Sequence, residues 1–317
     1  KKNYMKKKIL ILGISGQDGC YLADLYLKKK FIVHGTSRMG KKWDKNLKLF
    51  KIKNKIKIFK LAKNESKINS LLKNNYKYIF FLGGQPKVNN SFDKLEYETF
   101  DSQIIPLKVI LEFIKFQKFP KSKFMFSSSS EIFGNQKNKR LNENSLKIPQ
   151  SPYGLSKLIG LEIIKSYREM FKIPVFSIIF FNHESIFRED DFVLKKVSNY
   201  LKNLNNKKNY KNKLELGNIN IKRDWGFSGE YMSIIYKIMH SKKVSDYVLG
   251  TGKSFSLKEI IRLFFKKYKL NYKNYIRINN KFFRKFDINE NHADITKIKK
   301  DFKFNPRYKI KQIINLF

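Results

Sequence analysis

Near its start the chain contains the stretch Lys8-Ile-Leu-Ile-Leu-Gly13-Ile-Ser-Gly16-Gln-Asp-Gly19, an apolar run followed by regularly spaced glycines. The run Lys8 to Leu12 predicts a buried strand, and the residues after the glycines predict a helix. Glycines between a strand and a helix allow a tight turn and let the backbone approach a phosphate at the positive helix end. The stretch therefore predicts an anion-binding strand-loop-helix unit, and a turn with no ligand is the alternative.

The same alternation of strand and helix continues through the first half of the chain. Buried strands are predicted at Lys8 to Leu12, Phe31 to Thr36, Lys55 to Lys60, Tyr78 to Leu82, Lys123 to Ser127 and Val175 to Phe181. Helices are predicted at Tyr21 to Lys29, Ser66 to Lys73, Tyr97 to Phe116 and Tyr153 to Phe171. Such alternation implies a parallel sheet with helices on both faces and ligands at the carboxyl ends of the strands. We expect an α/β fold, a Rossmann-type doubly wound sheet with a smaller, irregular α/β C-terminal substrate domain.

The second half of the sequence is less regular. Loops are predicted around Asn182 to Asp191 and Lys207 to Lys213, and short helices near Leu257 to Tyr268 and Ile310 to Leu316. We expect residues 1–182 and about 218–250 to form one domain, and about 183–217 and 251–317 to form the other.

The net charge of +42 is extreme for 317 residues and raises the possibility of nucleic-acid binding. However, Lys, Asn, Ile, Phe and Tyr are all abundant together, and these residues share A/T-rich codons. The lysines are also spread along the whole chain instead of forming one patch with interleaved aromatic residues. We therefore expect no specific nucleic-acid partner.

Cysteine usage and hydropathy predict a cytoplasmic protein. The single cysteine, Cys20, excludes an internal disulfide framework and suits a reducing compartment. The apolar run Ile9 to Leu12 is too short for a signal peptide, and no apolar run is long enough to cross a bilayer. We expect neither a membrane partner nor a metal.

A Tyr-Lys pair lies in Ser151-Pro-Tyr153-Gly-Leu-Ser-Lys157. Residues four apart share one helix face, so the Lys157 ammonium is expected beside the Tyr153 phenol. A nearby cation favours the phenolate, which predicts a lowered pKa for Tyr153 and proton exchange near neutral pH. Because Tyr-x-x-x-Lys also occurs by chance in a chain rich in both residues, the pair requires support from other motifs.

The second predicted strand is followed by Arg38, and no carboxylate occurs there to bind a ribose 2′-hydroxyl. A guanidinium at this position can pair with a 2′-phosphate, which favours NADP over NAD. The alternative is one more surface cation in a basic chain.

The fifth predicted strand continues into Ser127-Ser-Ser-Ser-Glu131-Ile-Phe-Gly134. Ser129 is placed where a hydroxyl could bind a substrate hydroxyl beside Tyr153, and Glu131 would point a carboxylate into the same cleft. A turn with helix-capping serines is an equally good interpretation of these residues.

With these motifs together, the chain resembles the extended short-chain dehydrogenase/reductases, and within them the GDP-mannose 4,6-dehydratase family. The resemblance runs from about Lys7 to the C-terminus. It rests on Gly16-Gln-Asp-Gly19 with Tyr21-Leu22, the Ser-Glu131 turn, Ser-Pro-Tyr153-Gly-x-x-Lys157, Phe181-Asn-His-Glu-Ser185, Gly217-Asn218 and Lys222-Arg-Asp-Trp-Gly226.

The resemblance implies a role for each matching position. Catalytic residues would be Ser129, Glu131, Tyr153 and Lys157. NADP would be bound by Gly13, Gly16, Gln17, Asp18, Gly19, Arg38, Leu82, Tyr153, Lys157 and His183. GDP-mannose or a related nucleotide sugar would be bound by Asn182, Lys196, Arg223 and Arg284. The first domain would then bind NADP, the second would bind the sugar nucleotide, and the chain would form a homo-oligomer, a dimer or a tetramer.

Several positions depart from the family pattern. Gly84-Gln85-Pro86-Lys87 replaces a loop that usually contains Ser-His, and Lys60 replaces an Asp that binds adenine. Ile186-Phe-Arg188-Glu189 replaces Pro-Arg-Arg-Gly, and Met39-Gly-Lys41 replaces a second Arg and serines.

The resulting hypothesis is removal of water from a nucleotide hexose by transient hydride transfer through NADP. A 4-reductase or 4-epimerase of a nucleotide sugar on the same fold is the nearest alternative, and it has no use for a base at C5. A non-catalytic NADP-binding protein is the alternative of another class.

Overall fold

The computed structural model describes residues 7–38, 40–60, 64–93, 95–118, 120–136, 140–205, 212–284 and 286–317, without the side chains of 41–43. Met39 and most of the predicted loop Lys207 to Lys213 lie outside the described residues.

Strands and helices alternate along the first part of the chain. The strands are β1 (Lys8–Leu12), β2 (Ile32–Ser37), β3 (Lys57–Lys60), β4 (Tyr78–Phe81), β5 (Lys123–Ser129), β6 (Arg140–Leu141), β7 (Val175–Phe180), β8 (Asn182–Glu184), β9 (Leu214–Leu216), β10 (Lys222–Phe227), β11 (Tyr247–Leu249), β12 (Ser254–Ser256), β13 (Ile276–Ile278) and β14 (Glu290–Ala293). The helices are α1 (Gln17–Lys28), α2 (Lys41–Leu49), α3 (Glu65–Leu72), α4 (Glu96–Phe116), α5 (Pro152–Phe171), α6 (Val193–Asn205), α7 (Ser228–His240), α8 (Leu257–Lys267), α9 (Thr296–Phe302) and α10 (Ile310–Leu316).

The main sheet has the order β11-β7-β5-β4-β1-β2-β3, and every neighbouring pair is parallel. Strand order reverses between β1 and β4, which places a crevice at their carboxyl ends. The predicted Rossmann-type fold is confirmed, and all six predicted strands belong to this sheet.

Alternate side chains of β1 enter different cores, as the period of a strand requires. Ile9 and Ile11 pack in a core with residues of α1 and α7, whereas Leu10 and Leu12 pack in a core with residues of α3, α4 and α5. The main sheet is therefore covered on both faces, which explains why β1, β4 and β7 are almost continuously apolar.

A second sheet differs from what the sequence predicts. The segment Asn182 to Asp191 was predicted to be a loop, but its start forms β8, which pairs in parallel with β10 through Trp225, Gly226 and Phe227. Strand β10 also pairs with β12 and β14, and β14 pairs with β6. Three-residue strands carry too little periodicity to be recognised in the sequence, so tertiary pairing decides this segment.

Asp224 ties this second sheet together from within β10. Its side chain has 0% exposure, and its carboxylate accepts hydrogen bonds from Thr251 N (2.8 Å), Thr251 Oγ1 (2.6 Å), Gly252 N (2.7 Å) and Ala293 N (3.2 Å). Burial raises the pKa of Asp224, and the Thr251 hydroxyl is the first of the hydrogen bonds that oppose this effect. The carboxylate therefore joins β10, the turn after β11 and β14.

Replacing Asp224 should destabilise the protein because buried N–H groups would lose their acceptor. We expect Asp224→Ala to lower the free energy of unfolding by about 2–4 kcal/mol. Thr251→Val, which removes one hydroxyl and leaves the backbone bonds in place, should cost about 1 kcal/mol. Urea denaturation of the two variants measures the difference, and equal losses would contradict the central role of Asp224.

Candidate active site

All sixteen residues that the sequence singled out line one cavity of about 840 Å³. The cavity lies at the carboxyl ends of the parallel strands and is bounded by residues that follow β1, β2, β4, β5 and β7. The sixteen are Gly13, Gly16, Gln17, Asp18, Gly19, Arg38, Leu82, Ser129, Glu131, Tyr153, Lys157, Asn182, His183, Lys196, Arg223 and Arg284. The structure thus brings together residues from both halves of the chain.

The glycine loop forms one wall of the cavity. Gly13 has φ +90°, a conformation that favours glycine, and a Cβ there would lie 2.8 Å from Gly83. Gly16 is the N-cap of α1, and a Cβ added there would meet only Gly13 O within 4 Å. The backbone at Gly16 is therefore open towards the cavity at a helix N-terminus, which is a favourable place for an anion.

The two residues that begin α1 make hydrogen bonds within the protein. Gln17 donates from Nε2 to His183 O (3.0 Å) and accepts at Oε1 from Ser185 Oγ (2.9 Å). Asp18 accepts from Ser228 Oγ at 2.6 Å and pairs with His183 Nε2 at 2.9 Å. These bonds fix the glycine loop against β8 and α7.

Asp18 and His183 form a buried ion pair at the floor of the cavity. Burial opposes the charged forms, but the Asp18 carboxylate and its hydrogen bond outweigh that effect and raise the pKa of His183. The same contacts lower the pKa of Asp18 in spite of its burial. Because His183 Nδ1 also contacts Phe181 O at 2.8 Å, a protonated ring can donate from both nitrogens.

Helix α5 presents Tyr153 and Lys157 to the cavity. Ser151 caps the helix by accepting from Gly154 N at 3.0 Å, and Pro152 occupies the first turn. A Cβ on Gly154 would lie 2.8 Å from Glu131 O, so glycine allows α5 to approach the turn that carries Glu131. Local capping and this close approach together place the Tyr-Lys pair beside Ser129 and Glu131.

The Lys157 ammonium is held mainly by residues other than Tyr153. Its Nζ donates to Ser127 O (2.8 Å) and Gln103 Oε1 (3.0 Å), and it lies 5.8 Å from the centroid of the Tyr153 ring. Burial lowers the pKa of Lys157 to about 7. This ammonium is 4% exposed and sits at the cavity wall, where its charge depends on pH near neutrality.

The predicted lowering of the pKa of Tyr153 is wrong for this structure. Burial raises the pKa of Tyr153 to about 12, and a hydrogen bond from Ser129 opposes the rise only in part. A neighbouring cation favours the phenolate, but desolvation of the phenolate is the larger effect here.

Two carboxylates and two guanidinium groups also line the cavity. Glu131 Oε1 lies 3.4 Å from Arg284 Nη1, and Asp287 Oδ1 lies 3.3 Å from Arg223 Nη2. Burial raises the pKa of Asp287, although both arginines oppose that rise. Arg223 is 3% exposed and also donates to Lys222 O and Ile288 O. We call Glu131, Arg223, Arg284 and Asp287 the charged quartet.

The remaining predicted residues also line the cavity. Lys196 Nζ lies 4.9 Å from the centroid of the Phe282 ring and 3.5 Å from Glu215 O, and Asn182 begins β8. Arg38 follows β2 and is exposed, while Leu82 follows β4.

Gln103 and Asp287 are site residues that sequence reasoning missed. Both line the cavity and bind a predicted residue, Lys157 and Arg223 respectively. Gln103 comes from the middle of α4, and a polar residue that is buried within an apolar helix was the one available signal. Nothing in the sequence pairs Asp287 with Arg223, because 64 residues separate them.

Among the described residues, no three His, Cys, Asp or Glu side chains are grouped so that they could hold a metal ion. Within the same residues, every helix is too short or too polar to span a membrane.

Comparison with known proteins identifies the family. A family model described as GDP-mannose 4,6 dehydratase matches residues 10–317. The chain belongs to the GDP-mannose 4,6-dehydratase family. The GDP-mannose 4,6 dehydratase of Drosophila melanogaster is 30% identical over 338 residues, which cover 98% of this chain and 84% of that protein. The GDP-mannose 4,6 dehydratase of Homo sapiens is 29% identical over 335 residues, with 96% of this chain and 88% of that protein covered.

Solved structures give the same fold at lower identity. The UDP-glucuronic acid 4-epimerase of Bacillus cereus, solved with UDP-glucuronic acid and NAD, has a TM-score of 0.85 at 20% identity and covers 98% of this chain and 97% of that chain. The dTDP-glucose 4,6-dehydratase of Bacillus anthracis, solved with NAD, has a TM-score of 0.83 at 19% identity and covers 97% and 94%. The resemblance inferred from the sequence motifs is therefore confirmed at the level of family and fold.

The loop after β4 and the loop after β8 both line the cavity and contact each other. Lys87, from the loop after β4, forms an ion pair with Asp191, from the loop after β8. Gln85 holds the first loop by donating from Nε2 to Lys87 O (2.8 Å) and Thr99 Oγ1 (3.2 Å). Asp190, beside Asp191, pairs with Lys45 at 3.3 Å.

The depressed pKa of Lys157 predicts a specific dependence of stability on pH. Below about pH 7 Lys157 is charged in both the folded and the unfolded protein, so the full cost of burying the charge is present. Between about pH 7 and pH 10 the unfolded chain holds the proton and the folded protein does not, so stability rises with pH by up to about 1.4 kcal/mol per unit. We expect the wild type to gain stability relative to Lys157→Met over this window. Urea denaturation from pH 6.5 to pH 9.5 measures the gain, and parallel curves would contradict it.

Proposed function

We propose that this chain converts GDP-mannose to GDP-4-keto-6-deoxymannose and water, with NADP as a bound hydride carrier. The observation that carries the proposal is the convergence of Ser129, Glu131, Tyr153 and Lys157 on one cavity in a chain of the GDP-mannose 4,6-dehydratase family. An acid-base pair for C4 and a separate carboxylate for C5 are the groups that this reaction needs.

We also propose that residues 1–182 and about 218–250 form the NADP-binding domain. All strands of the main sheet fall within these ranges, which supports the assignment. Residues 183–217 and 251–317 would form the sugar-nucleotide-binding domain. Its support is a separate apolar core shared by α6, α8 and α10.

The residues of the first domain fit NADP. The open backbone at Gly16 and the N-terminus of α1 suit a pyrophosphate, and Arg38 lines the cavity where a ribose 2′-phosphate would lie. Leu82 and His183 line the same cavity as this loop and Tyr153. The Lys157 ammonium can donate hydrogen bonds to ribose hydroxyls. Bound NADP would accept a hydride from C4 of the hexose and return it to C6.

Tyr153 and its neighbours would move the proton of the 4-hydroxyl. The phenol oxygen takes this proton as C4 becomes a ketone, while Ser129 donates to the phenol and so favours the charged form. Lys157 adds a positive charge near the ring and is fixed by Ser127 and Gln103. Because burial raises the pKa of Tyr153, Ser129 and Lys157 are both needed to stabilise the phenolate for proton transfer.

Glu131 would carry out the elimination. The 4-ketone acidifies the proton on C5, and the Glu131 carboxylate removes it. The same proton then passes to the 6-hydroxyl, which leaves as water. The proton taken from the 4-hydroxyl balances the proton that C5 receives when the hydride returns to C6, so the sugar nucleotide loses one water and Tyr153 is restored.

Asn182, Lys196, Arg223 and Arg284 would bind the sugar nucleotide. Guanidinium groups match phosphate oxygens in geometry and charge, and Arg223 and Arg284 line the cavity beside Glu131. Lys196 and Phe282 together offer a cation and an aromatic face at the far end of the cavity, which suits a nucleobase.

We further infer a cytoplasmic homo-oligomer. The unpaired and buried Cys20 suits a reducing compartment. Exposed apolar side chains on α4 and α5, among them Tyr97, Phe116, Leu155 and Met170, support a contact between subunits on that face.

The proposed reaction is tested by mass. Purified protein incubated with GDP-mannose and a trace of NADP⁺ should convert the sugar nucleotide to a product lighter by one water, without accumulation of NADPH. Glu131→Gln should lower turnover by about 10²–10⁴-fold, the range of general acid-base catalysis. A product of unchanged mass, or a Glu131→Gln variant with near-normal turnover, would instead favour a 4-epimerase or 4-reductase.

The choice of NADP over NAD is tested by Arg38. We expect Arg38→Ala to weaken NADP binding by about 10–100-fold, because a charge-assisted contact to the 2′-phosphate is lost. NAD binding should change by less than about threefold. Fluorescence titration with both cofactors measures this, and Arg277→Ala, which removes an exposed cation outside the cavity lining, is the control for net charge. Equal losses for both cofactors would refute the role of Arg38.

A further inference from the structure

The charged quartet couples the site of elimination to the site of phosphate binding. Glu131 is paired with Arg284, and Asp287 is paired with Arg223. All four side chains line the cavity. Each of the two positive charges is therefore paired with a carboxylate.

Arg223 and Arg284 differ in how many of their donor hydrogens remain available to a ligand. Arg223 is 3% exposed and donates to Lys222 O and Ile288 O as well as to Asp287. The side chain of Arg284 is 31% exposed, and its contact with Glu131 is long, at 3.4 Å. A guanidinium has five donor hydrogens, so Arg284 has the greater capacity to take a new acceptor.

The pairing of Arg284 with Glu131 limits the availability of the carboxylate for its proposed role at C5. A guanidinium bound to a carboxylate occupies oxygen lone pairs that would otherwise be available to a substrate. In this structure one oxygen of the Glu131 carboxylate is therefore paired with a cation. A diphosphate carries more negative charge than one carboxylate, so it competes well for the same guanidinium.

We propose that Arg284 is exchanged between Glu131 and the diphosphate of the substrate, so that diphosphate binding releases the carboxylate for its work at C5. This inference rests on the proposed function. Arg284 is then a positioning residue as well as a phosphate ligand. The exchange predicts a substrate in which the hexose carries a diphosphate. A hexose without a diphosphate would leave Glu131 paired with Arg284.

The exchange is tested by equilibrium binding of GDP, which has the diphosphate but no hexose and undergoes no reaction. Isothermal titration calorimetry would be carried out on the purified full chain, on Glu131→Gln, on Arg284→Gln and on the double variant. Removing Glu131 frees Arg284 in advance, so Glu131→Gln should bind GDP about three- to tenfold more tightly than the wild type. In the Arg284→Gln background, Glu131→Gln should change the affinity by less than about twofold.

The controls separate exchange from a change in charge. Glu162→Gln removes an exposed negative charge on α5 and should leave GDP affinity unchanged. Unchanged or weaker GDP binding by Glu131→Gln would overturn the proposal, because Arg284 would then hold both partners at once. A gain that persists in the Arg284→Gln background would also overturn it, since the field of Glu131 would act directly. If the wild type binds no GDP, the proposed substrate fails together with the inference, whereas the other two results leave the proposed function intact.

Discussion

The parallel alignment of the main sheet is the constraint on which the site depends. Parallel strands end at the same edge, so the residues that follow β1, β2, β4, β5 and β7 must meet there, however far apart they lie in sequence. Helix α5 adds Tyr153 and Lys157 because its first turn packs on the Glu131 turn at Gly154. The candidate catalytic residues are thus brought together at one edge of a buried sheet.

Burial controls the electrostatics of this edge more than net charge does. In a chain of net charge +42, the ionisable groups at the site respond chiefly to desolvation. Burial is the largest single influence on the pKa of Tyr153, Lys157 and Asp287, and it sets the direction of each shift. Only within the pair of Asp18 and His183 do the neighbouring groups together reverse the direction that burial alone would give. The many lysines on the surface lie away from these titrating groups, and their charges are screened by solvent and salt.

Much of the fold and of the site could be predicted from the sequence, because local patterns encode them. The glycine loop, the six main strands and Tyr153 with Lys157 are each contained in a short segment, and a parallel sheet then follows from the α/β pattern. What escaped prediction depends on distant contacts. Strand β8 exists because it pairs with β10, Asp287 matters because it meets Arg223, and Tyr153 is desolvated by residues from several elements. The sequence contains both members of each of these pairs, but it does not show that they contact each other in the fold.

The ion pair between Lys87 and Asp191 links the loop after β4 to the loop after β8. One loop supplies the ammonium and the other the carboxylate, and both residues line the cavity. A recombinant that took one loop from a relative and kept the other would bring an unmatched charge to the entrance. Transferring both loops together would bring the two partners of such a contact from the same protein.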